Sequence, residues 1–150
     1  MVIKPKLYKI ITDKLPIACV DICLINYANQ ILFIKRNEEP AIGQWWIPGG
    51  RIHIGETVEQ AAIRIAKKEV NVDISDRNIH RIYYGETIFK NDDGKVIRHS
   101  LNAVVSVLME NKSIKNIKRD ETSTAWDWHD NIITKIKHPY LLEILKILKI

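Results

Sequence analysis

Residues 50–72 read GRIHIGETVEQAAIRIAKKEVNV. In this stretch Gly50 is followed after five residues by Glu56, and after seven more by Arg64. Thr57 is a favoured helix N-cap, and Gln60 three residues later completes a capping box. An apolar stripe at helical spacing follows: Val58, Ala61, Ala62, Ile65, Ala66 and Val70. The stretch therefore predicts a glycine-led loop that runs into an amphipathic helix over residues 57–70.

The segments before this helix read as a short helix and then strands. Residues 4–14 favour a short helix, which Pro16 stops. The apolar run 17–25 is interrupted by Asp21, and residues 31–35 look like its hairpin partner across a polar turn. Residues 45–48 read as a short extended piece. Gly49 and Gly50 then predict a sharp turn, because glycine tolerates positive φ.

The segments after the helix complete a mixed pattern. Runs 79–89 and 97–109 are strand-like and flank Asp92-Asp93-Gly94, which predicts a hairpin turn. Residues 126–128 are short and extended, and residues 132–150 are helical in character, with Pro139 starting the main segment. Mixed strands around two main helices predict an α+β fold or an α/β/α sandwich.

Bulk properties narrow the class of protein. A chain of 150 residues is expected to form one domain, over residues 1–150. The formal charge of +5 suits an anionic ligand, but the positive residues are scattered, which argues against nucleic acid as a partner. No apolar run reaches the roughly 18 residues of a membrane span, and the N-terminus has no signal-peptide core. We therefore expect no membrane partner and a cytoplasmic protein.

The spacing G-x5-E-x7-R resembles the start of the Nudix box, the signature of hydrolases that cleave nucleoside diphosphates linked to another group. The resemblance implies a Nudix-type α/β/α sandwich with a mixed β-sheet, a catalytic loop–helix–loop and a C-terminal helix. It also implies Mg²⁺ (or Mn²⁺), because a hard cation neutralises an anionic diphosphate. Glu69 and the Gly49 carbonyl match metal ligands of the family. Glu56 and Arg64 match the pair that fastens the loop to the helix.

Two acids of the box are missing. The family pattern continues R-E-U-x-E-E-x-G-U, where U is a bulky aliphatic residue. Here Ile65 and Lys68 stand where the first two acids belong, and only Glu69 remains. Isoleucine can neither bind a metal ion nor accept a proton, and an ammonium group repels a cation. A phosphoanhydride mechanism that needs several metal ions is therefore disfavoured.

The chain resembles one Nudix branch that also lacks the paired acids, the GDP-mannose mannosyl hydrolases. In that branch water attacks the anomeric carbon of the sugar, and the diphosphate departs. The likeness extends to the stretches 15–21, 35–37, 43–45 and 47–51. It implies that Arg36 and Arg51 contact the diphosphate, for which a guanidinium fork is suited. Asp21 is either an active-site residue or a buried structural partner.

The likeness weakens in a later loop. There the branch has a glutamine metal ligand and a histidine base, and alignment on Asp120-Glu121 puts Thr122 and Ser123 in their places. Thr122 is a candidate weak metal ligand, whereas serine is no base without a proton acceptor beside it. Glu121 and Asp120 lie in this loop as candidates for the catalytic base, with Glu121 the first choice. His99 is the second candidate and Glu86 the third. Trp45 is a candidate for stacking on a base or sugar.

These residues together predict a Mg²⁺-dependent hydrolase of a nucleoside diphosphate sugar, with water attacking the anomeric carbon. An ordinary Nudix pyrophosphatase acting on nucleoside diphosphate derivatives is the first alternative. A degenerate module that binds a nucleotide without cleaving it is the second, because both Ile65 and Lys68 replace acids. The branch forms dimers, so a homodimer is expected from the resemblance alone.

Overall fold

A computed structural model of the chain describes residues 3–150. The strands are β1 (Ile17–Ile25), β2 (Leu32–Arg36), β3 (Trp45–Trp46), β4 (Gly49–Arg51), β5 (Ile79–Lys90), β6 (Val96–Leu108) and β7 (Ser123–Trp128). The helices are α1 (Pro5–Thr12), α2 (Val58–Val70), α3 (Asn111–Ile114), α4 (His129–Ile132) and α5 (Pro139–Leu148). Within the described residues no helix is long and apolar enough to cross a membrane.

The strands form two sheets. The first has the order β4-β1-β6-β5, and it is mixed because β1 runs parallel to β6 but antiparallel to β4. The second is antiparallel, with the order β3-β2-β7. Together with the helices they give the α+β, Nudix-type arrangement that the sequence predicts.

Helix α2 forms for the reasons its sequence indicates. The Thr57 hydroxyl accepts from the Gln60 N–H, and the Gln60 side chain accepts from the Thr57 N–H, which completes the capping box. Five residues of its apolar stripe are buried: Ala61, Ala62, Ile65, Ala66 and Val70. The helix ends at Asn71, whose left-handed conformation (φ 55°) terminates the hydrogen-bond ladder.

The two long helices lie on opposite faces of the first sheet. Val20, Ile22 and Leu24 of β1 belong to the core that α2 covers. Cys23 of the same strand belongs to the core that α5 covers. Because neighbouring side chains of a strand point to opposite faces, this division makes β1 the centre of a helix–sheet–helix sandwich.

The hairpin predicted between residues 17–25 and 31–35 is wrong. The two segments share one isolated bridge, Ile25 with Ile31. Strand β2 instead pairs with β3 and β7 in the second sheet. The turn after β1 therefore carries the chain from the first sheet into the second. The sheet that β2 joins is determined by its pairing with β3 and β7, not by the sequence of the turn.

The sharp turn predicted at Gly49-Gly50 is also wrong. Both residues belong to β4, and positive φ among the glycines occurs at Gly43, Gly55 and Gly94. Gly49 needs to be a glycine for another reason: a Cβ there would clash with Asp21 Oδ1 and would lie 2.9 Å from the Val20 carbonyl oxygen. The missing side chain lets β4 approach the buried carboxylate on β1.

Candidate functional site

An open cavity of about 820 Å³ lies where β4, the C-terminal half of α2 and the neighbouring strand ends meet. Its polar lining includes Asp21, Arg36, Glu38, Glu39, Arg51, His53, Arg64, Lys68, Glu69, Arg98, Ser100, Asn102 and Thr122. The size is suited to a ligand of nucleotide dimensions. Most of the site residues predicted from the sequence therefore lie around one cavity.

The loop between β4 and α2 is held by the pair that the box predicts. Arg64 donates from Nε to Glu56 Oε1 (2.6 Å) and from Nη2 to Glu56 Oε2 (2.7 Å). Arg64 also donates to the Arg51 carbonyl, and Glu56 accepts from the His53 N–H. Hydrogen bonds from Arg64 hold the pKa of Glu56 at about 2. This ion pair fixes the strand that carries Gly49 and Arg51 against the helix that carries Glu69.

Glu69 lies against Gly49, as expected for a shared site. The Glu69 carboxylate accepts from the Gly49 N–H at 3.2 Å. In the antiparallel ladder between β1 and β4, hydrogen-bonded and non-hydrogen-bonded residue pairs alternate. The Ile22 N–H donates to the Pro48 carbonyl, so the next pair, Asp21 and Gly49, exchanges no hydrogen bonds. The Gly49 carbonyl therefore also faces away from β1. Burial, with a smaller contribution from the nearby negative charge of Asp120, raises the pKa of Glu69 to about 7.

The loop that carries Asp120 is attached to the end of α2. Asp120 N–H donates to the Glu69 carbonyl (3.1 Å), and Lys118 N–H donates to the Val70 carbonyl (3.0 Å). These bonds satisfy carbonyl groups that a helix C-terminus leaves unpaired. The Asp120 Oδ1 atom accepts from the N–H and the hydroxyl of Thr122. Its Oδ2 atom is buried without any hydrogen-bond partner among the described residues.

Asp21 is buried at the floor of the cavity, with 4 % of its surface exposed. Its Oδ2 atom accepts from Asn102 Nδ2 and from the Tyr140 hydroxyl, each at 2.6 Å. Burial raises the pKa of the Asp21 carboxyl above its usual range, while these hydrogen bonds and the charge of Arg36 oppose the shift. Asp21 therefore has a buried structural network and also lines the cavity, while its part in the reaction stays a prediction.

Three arginines besides the paired Arg64 give the cavity its positive wall. The Arg36 Nη2 atom donates to the Glu39 carbonyl, and its Nε atom is buried with no partner among the described residues. The guanidinium groups of Arg51 and Arg98 each lie 5.1 Å from the centroid of the Tyr8 ring. Arg98 also donates to the Tyr8 hydroxyl at 2.7 Å. Helix α1 is thereby attached to the cavity wall through Tyr8.

Several predicted residues lie outside the cavity, which corrects the sequence-based assignment. His99 is paired with Glu86 (3.3 Å), and strand alternation puts both on the face opposite Ser100 and Thr87. Glu121 is exposed and does not line the cavity, although its carbonyl accepts from Asn37. Trp45 packs against the core that α5 covers, and its neighbour Trp46 lines the cavity instead.

The residues present fit a divalent cation. The Glu69 carboxylate, the outward Gly49 carbonyl and the orphaned Asp120 Oδ2 atom supply oxygen donors at one end of α2. Within residues 3–150 no group of three or more histidine, cysteine or acidic side chains converges as a metal site. A bound ion would therefore complete its coordination with backbone oxygen and water. Thr122 lines the cavity, but its hydroxyl already donates to Asp120.

Comparison with known proteins assigns the family. The model of the NUDIX domain matches residues 15–138, so the chain belongs to the Nudix family. It is 34 % identical over 68 residues to the low-salt glycan biosynthesis protein Agl8 of Haloferax volcanii, a match covering 45 % of this chain and 43 % of that protein. It is 43 % identical over 49 residues to an ADP-ribose pyrophosphatase of Methanocaldococcus jannaschii, covering 33 % of this chain and 29 % of that protein. The matches thus span less than half of either relative.

Solved structures share the fold. The NUDIX domain of Shewanella oneidensis NrtR, crystallised with ADP ribose, has a TM-score of 0.70 at 18 % identity and covers 98 % of this chain and 92 % of its own. A MutT protein from Methanosarcina mazei has a TM-score of 0.66 at 15 % identity, over 91 % and 93 % of the two chains. At these identities the likeness establishes the architecture alone.

Sequence reasoning missed three residues that shape the site: Tyr8 and Arg98 line the cavity, and Tyr140 donates to Asp21. Arg98 and Tyr8 come from segments that carry no motif, and their meeting depends on pairing between distant elements. Tyr140 lies 119 positions from Asp21. One signal was available for Asp21: a carboxylate inside an apolar strand must find donors when it is buried.

Proposed function

We propose that the chain is a divalent-metal-dependent hydrolase of a nucleoside diphosphate sugar, similar to the GDP-mannose mannosyl hydrolases. Water attacks the anomeric carbon, the bond between that carbon and the diphosphate oxygen breaks, and a nucleoside diphosphate leaves. The relative named for glycan biosynthesis supports a sugar-linked substrate.

One observation carries the proposal. Arg36, Arg51 and Glu69 face the same cavity, and Ile65 and Lys68 line it where the box has acids. The cavity can therefore bind and stabilise a departing diphosphate, but it lacks the two box carboxylates that would hold further ions around a phosphorus atom. Attack at carbon needs only the first capability.

Each residue of the wall has a part in that reaction. Arg36 and Arg51 donate hydrogen bonds to the diphosphate oxygens, on which negative charge grows as the carbon–oxygen bond breaks. Glu69 and the Gly49 carbonyl would hold Mg²⁺ or Mn²⁺, which neutralises the diphosphate when it is bound. Glu38 and Glu39 line the cavity and replace Glu121 and His99 as candidates for accepting the proton of the attacking water.

Product identity on a panel of sugar nucleotides tests the proposal. We expect a nucleoside diphosphate and a free sugar, resolved by anion-exchange chromatography, in the presence of Mg²⁺. A nucleoside monophosphate with a sugar phosphate would contradict it, as would saturable binding without turnover. A homodimer remains a prediction, which sedimentation velocity at micromolar concentration tests.

A second candidate is favoured by one relative. The ADP-ribose pyrophosphatase of Methanocaldococcus jannaschii shares 43 % identity over 49 residues, although the match covers only 33 % of this chain. A pyrophosphatase would cleave ADP-ribose to AMP and ribose phosphate. Adding ADP-ribose to the panel therefore separates the two candidates in one experiment.

A further inference from the structure

We propose that Asp120 is the second carboxylate ligand of the divalent cation, compensating for the acids replaced by Ile65 and Lys68. It comes from the loop before β7 and not from the box, so the ion would bridge the end of α2 and this loop. The inference deepens the proposed function, but it concerns binding of the ion alone and is tested without a nucleotide.

The position of Asp120 is fixed independently of any ligand. Its N–H donates to the carbonyl of Glu69, the residue that carries the remaining box acid. Asn71 Nδ2 donates to the Asn116 carbonyl and Lys118 N–H to the Val70 carbonyl, so three hydrogen bonds hold the loop to the end of α2. A ligand held this way needs little ordering when an ion binds.

The two oxygen atoms of the Asp120 carboxylate have different surroundings: Oδ1 accepts hydrogen bonds and Oδ2 accepts none from the described residues. The N–H and hydroxyl of Thr122 donate to Oδ1, which orients the group. Oδ2 is buried, and no donor in the described part of the chain reaches it, Lys68 included. A buried carboxylate oxygen without a donor is costly unless a cation neutralises it. Glu69 beside it adds a second negative charge and no donor.

Lys68 is the rival source of positive charge, since it lines the same cavity. If Asp120 existed to pair with Lys68, removal of either charge would weaken the metal-free fold. A metal-ligand role predicts the opposite: two adjacent carboxylates repel each other until a cation arrives. The stability of the metal-free protein therefore separates the two roles.

The experiment measures Mn²⁺ binding by the loss of the free-ion electron paramagnetic resonance signal, with no nucleotide present. The variants are Asp120→Asn, Glu69→Gln and Lys68→Gln. Glu121→Gln is the control, because Glu121 is exposed, is the next residue after Asp120, and loses the same negative charge. We expect Asp120→Asn to weaken binding at least about tenfold, as Glu69→Gln does. Glu121→Gln should stay within about twofold, and Lys68→Gln should bind at least as well as the parent.

Thermal unfolding in EDTA and in excess Mn²⁺ supplies the second readout. Asparagine keeps an acceptor for the Thr122 N–H, so Asp120→Asn should unfold in EDTA at the parent temperature or above it, while the rise caused by Mn²⁺ shrinks. Equal Mn²⁺ affinity of Asp120→Asn and Glu121→Gln, lower stability of Asp120→Asn in EDTA, or no binding by the parent protein would each overturn the inference. Asp120-dependent Mn²⁺ binding without sugar nucleotide hydrolysis would instead refute the proposed function alone.

Discussion

Gly49 joins two features of the site at a single residue. Its N–H donates to Glu69, and its missing side chain admits the Asp21 carboxylate. A Cβ at this position meets a buried carboxylate oxygen and a backbone carbonyl, neither of which can move freely. The residue is thus required by contact, not by backbone conformation.

We therefore predict that Gly49→Ala destabilises the fold by about 1–3 kcal/mol, the range typical of overpacking. Gly50→Ala is the matched control, because its Cβ would meet only the flexible end of Ile65 at 3.3 Å. It should cost less than about 1 kcal/mol. Urea unfolding measures both, and equal losses would show that the approach to Asp21 does not matter.

The raised pKa of Glu69 predicts that the affinity for a metal ion depends on pH. In the metal-free protein burial raises its pKa to about 7, so below that pH the group is protonated and cannot bind a cation. Mn²⁺ affinity should fall by up to about tenfold per pH unit between pH 7 and pH 5.5 and level off above pH 8. Titration by calorimetry checks this, with Glu69→Gln as a weak and flatter control. An unchanged affinity from pH 8 to 5.5 would exclude Glu69 as a ligand.

At the scale of elements, the Glu56–Arg64 pair attaches the loop after β4 to α2. Glu56 has a pKa of about 2 in the fold against an ordinary value of 4.5, so its ionised form stabilises the native state. That stabilisation is fully present above pH 4.5 and is lost as the pH falls towards 2.

Glu56→Gln should accordingly lower the free energy of unfolding by about 1–3 kcal/mol at pH 7, the range for hydrogen bonds to charged groups. The difference from the parent should shrink as the pH falls from 5 to 2.5. Denaturant unfolding across that interval measures it, with Glu143→Gln on the exposed side of α5 as a control. A difference that is independent of pH would mean that the ion pair does not hold the loop.

The elements could be predicted from the sequence where local signals decide them. The capping box at Thr57 and the stripe ending at Val70 specify α2, and Asp92-Asp93-Gly94 marks the turn between β5 and β6. The pairing of β2 with β7 could not be predicted this way, because the two strands lie about 90 residues apart in the sequence. Pairing between distant strands is decided by the whole core rather than by a turn.

The site residues, too, could be predicted only where a local sequence pattern carries them. Arg36, Arg51 and Glu69 were identified because a spacing pattern carries them, and all three line the cavity. His99 and Glu121 do not line it: His99 lies on the face of β6 opposite Ser100, and Glu121 is exposed in the loop before β7. The sequence indicates Asp120 only as a candidate base, because the hydrogen bonds that place its loop against α2 have no counterpart in the motif.

At the scale of the whole molecule, the C-terminal helix holds the carboxylate at the cavity floor. Tyr140 at the start of α5 donates to Asp21 on β1, which also accepts from Asn102 on β6. Three elements distant in sequence therefore meet at one buried carboxylate. Losing a donor there leaves a buried charge with a single partner.

Tyr140→Phe should consequently lower the free energy of unfolding by about 1–3 kcal/mol at neutral pH. The loss should be smaller in acid, because burial raises the pKa of Asp21 and a protonated carboxyl needs its partners less. Tyr27→Phe is the control, since Tyr27 is 64 % exposed. Calorimetry at two pH values measures the stability of both variants. Equal stability of the two would show that the hydrogen bond from Tyr140 to Asp21 does not stabilise the fold.

The position of an ¹⁸O label after hydrolysis in labelled water tests the central claim most directly. With a sugar nucleotide that the protein cleaves, we predict the label on the anomeric carbon of the released sugar and none in the nucleoside diphosphate, as read by mass spectrometry. Label in a phosphate of either product would place the attack at phosphorus and contradict the account.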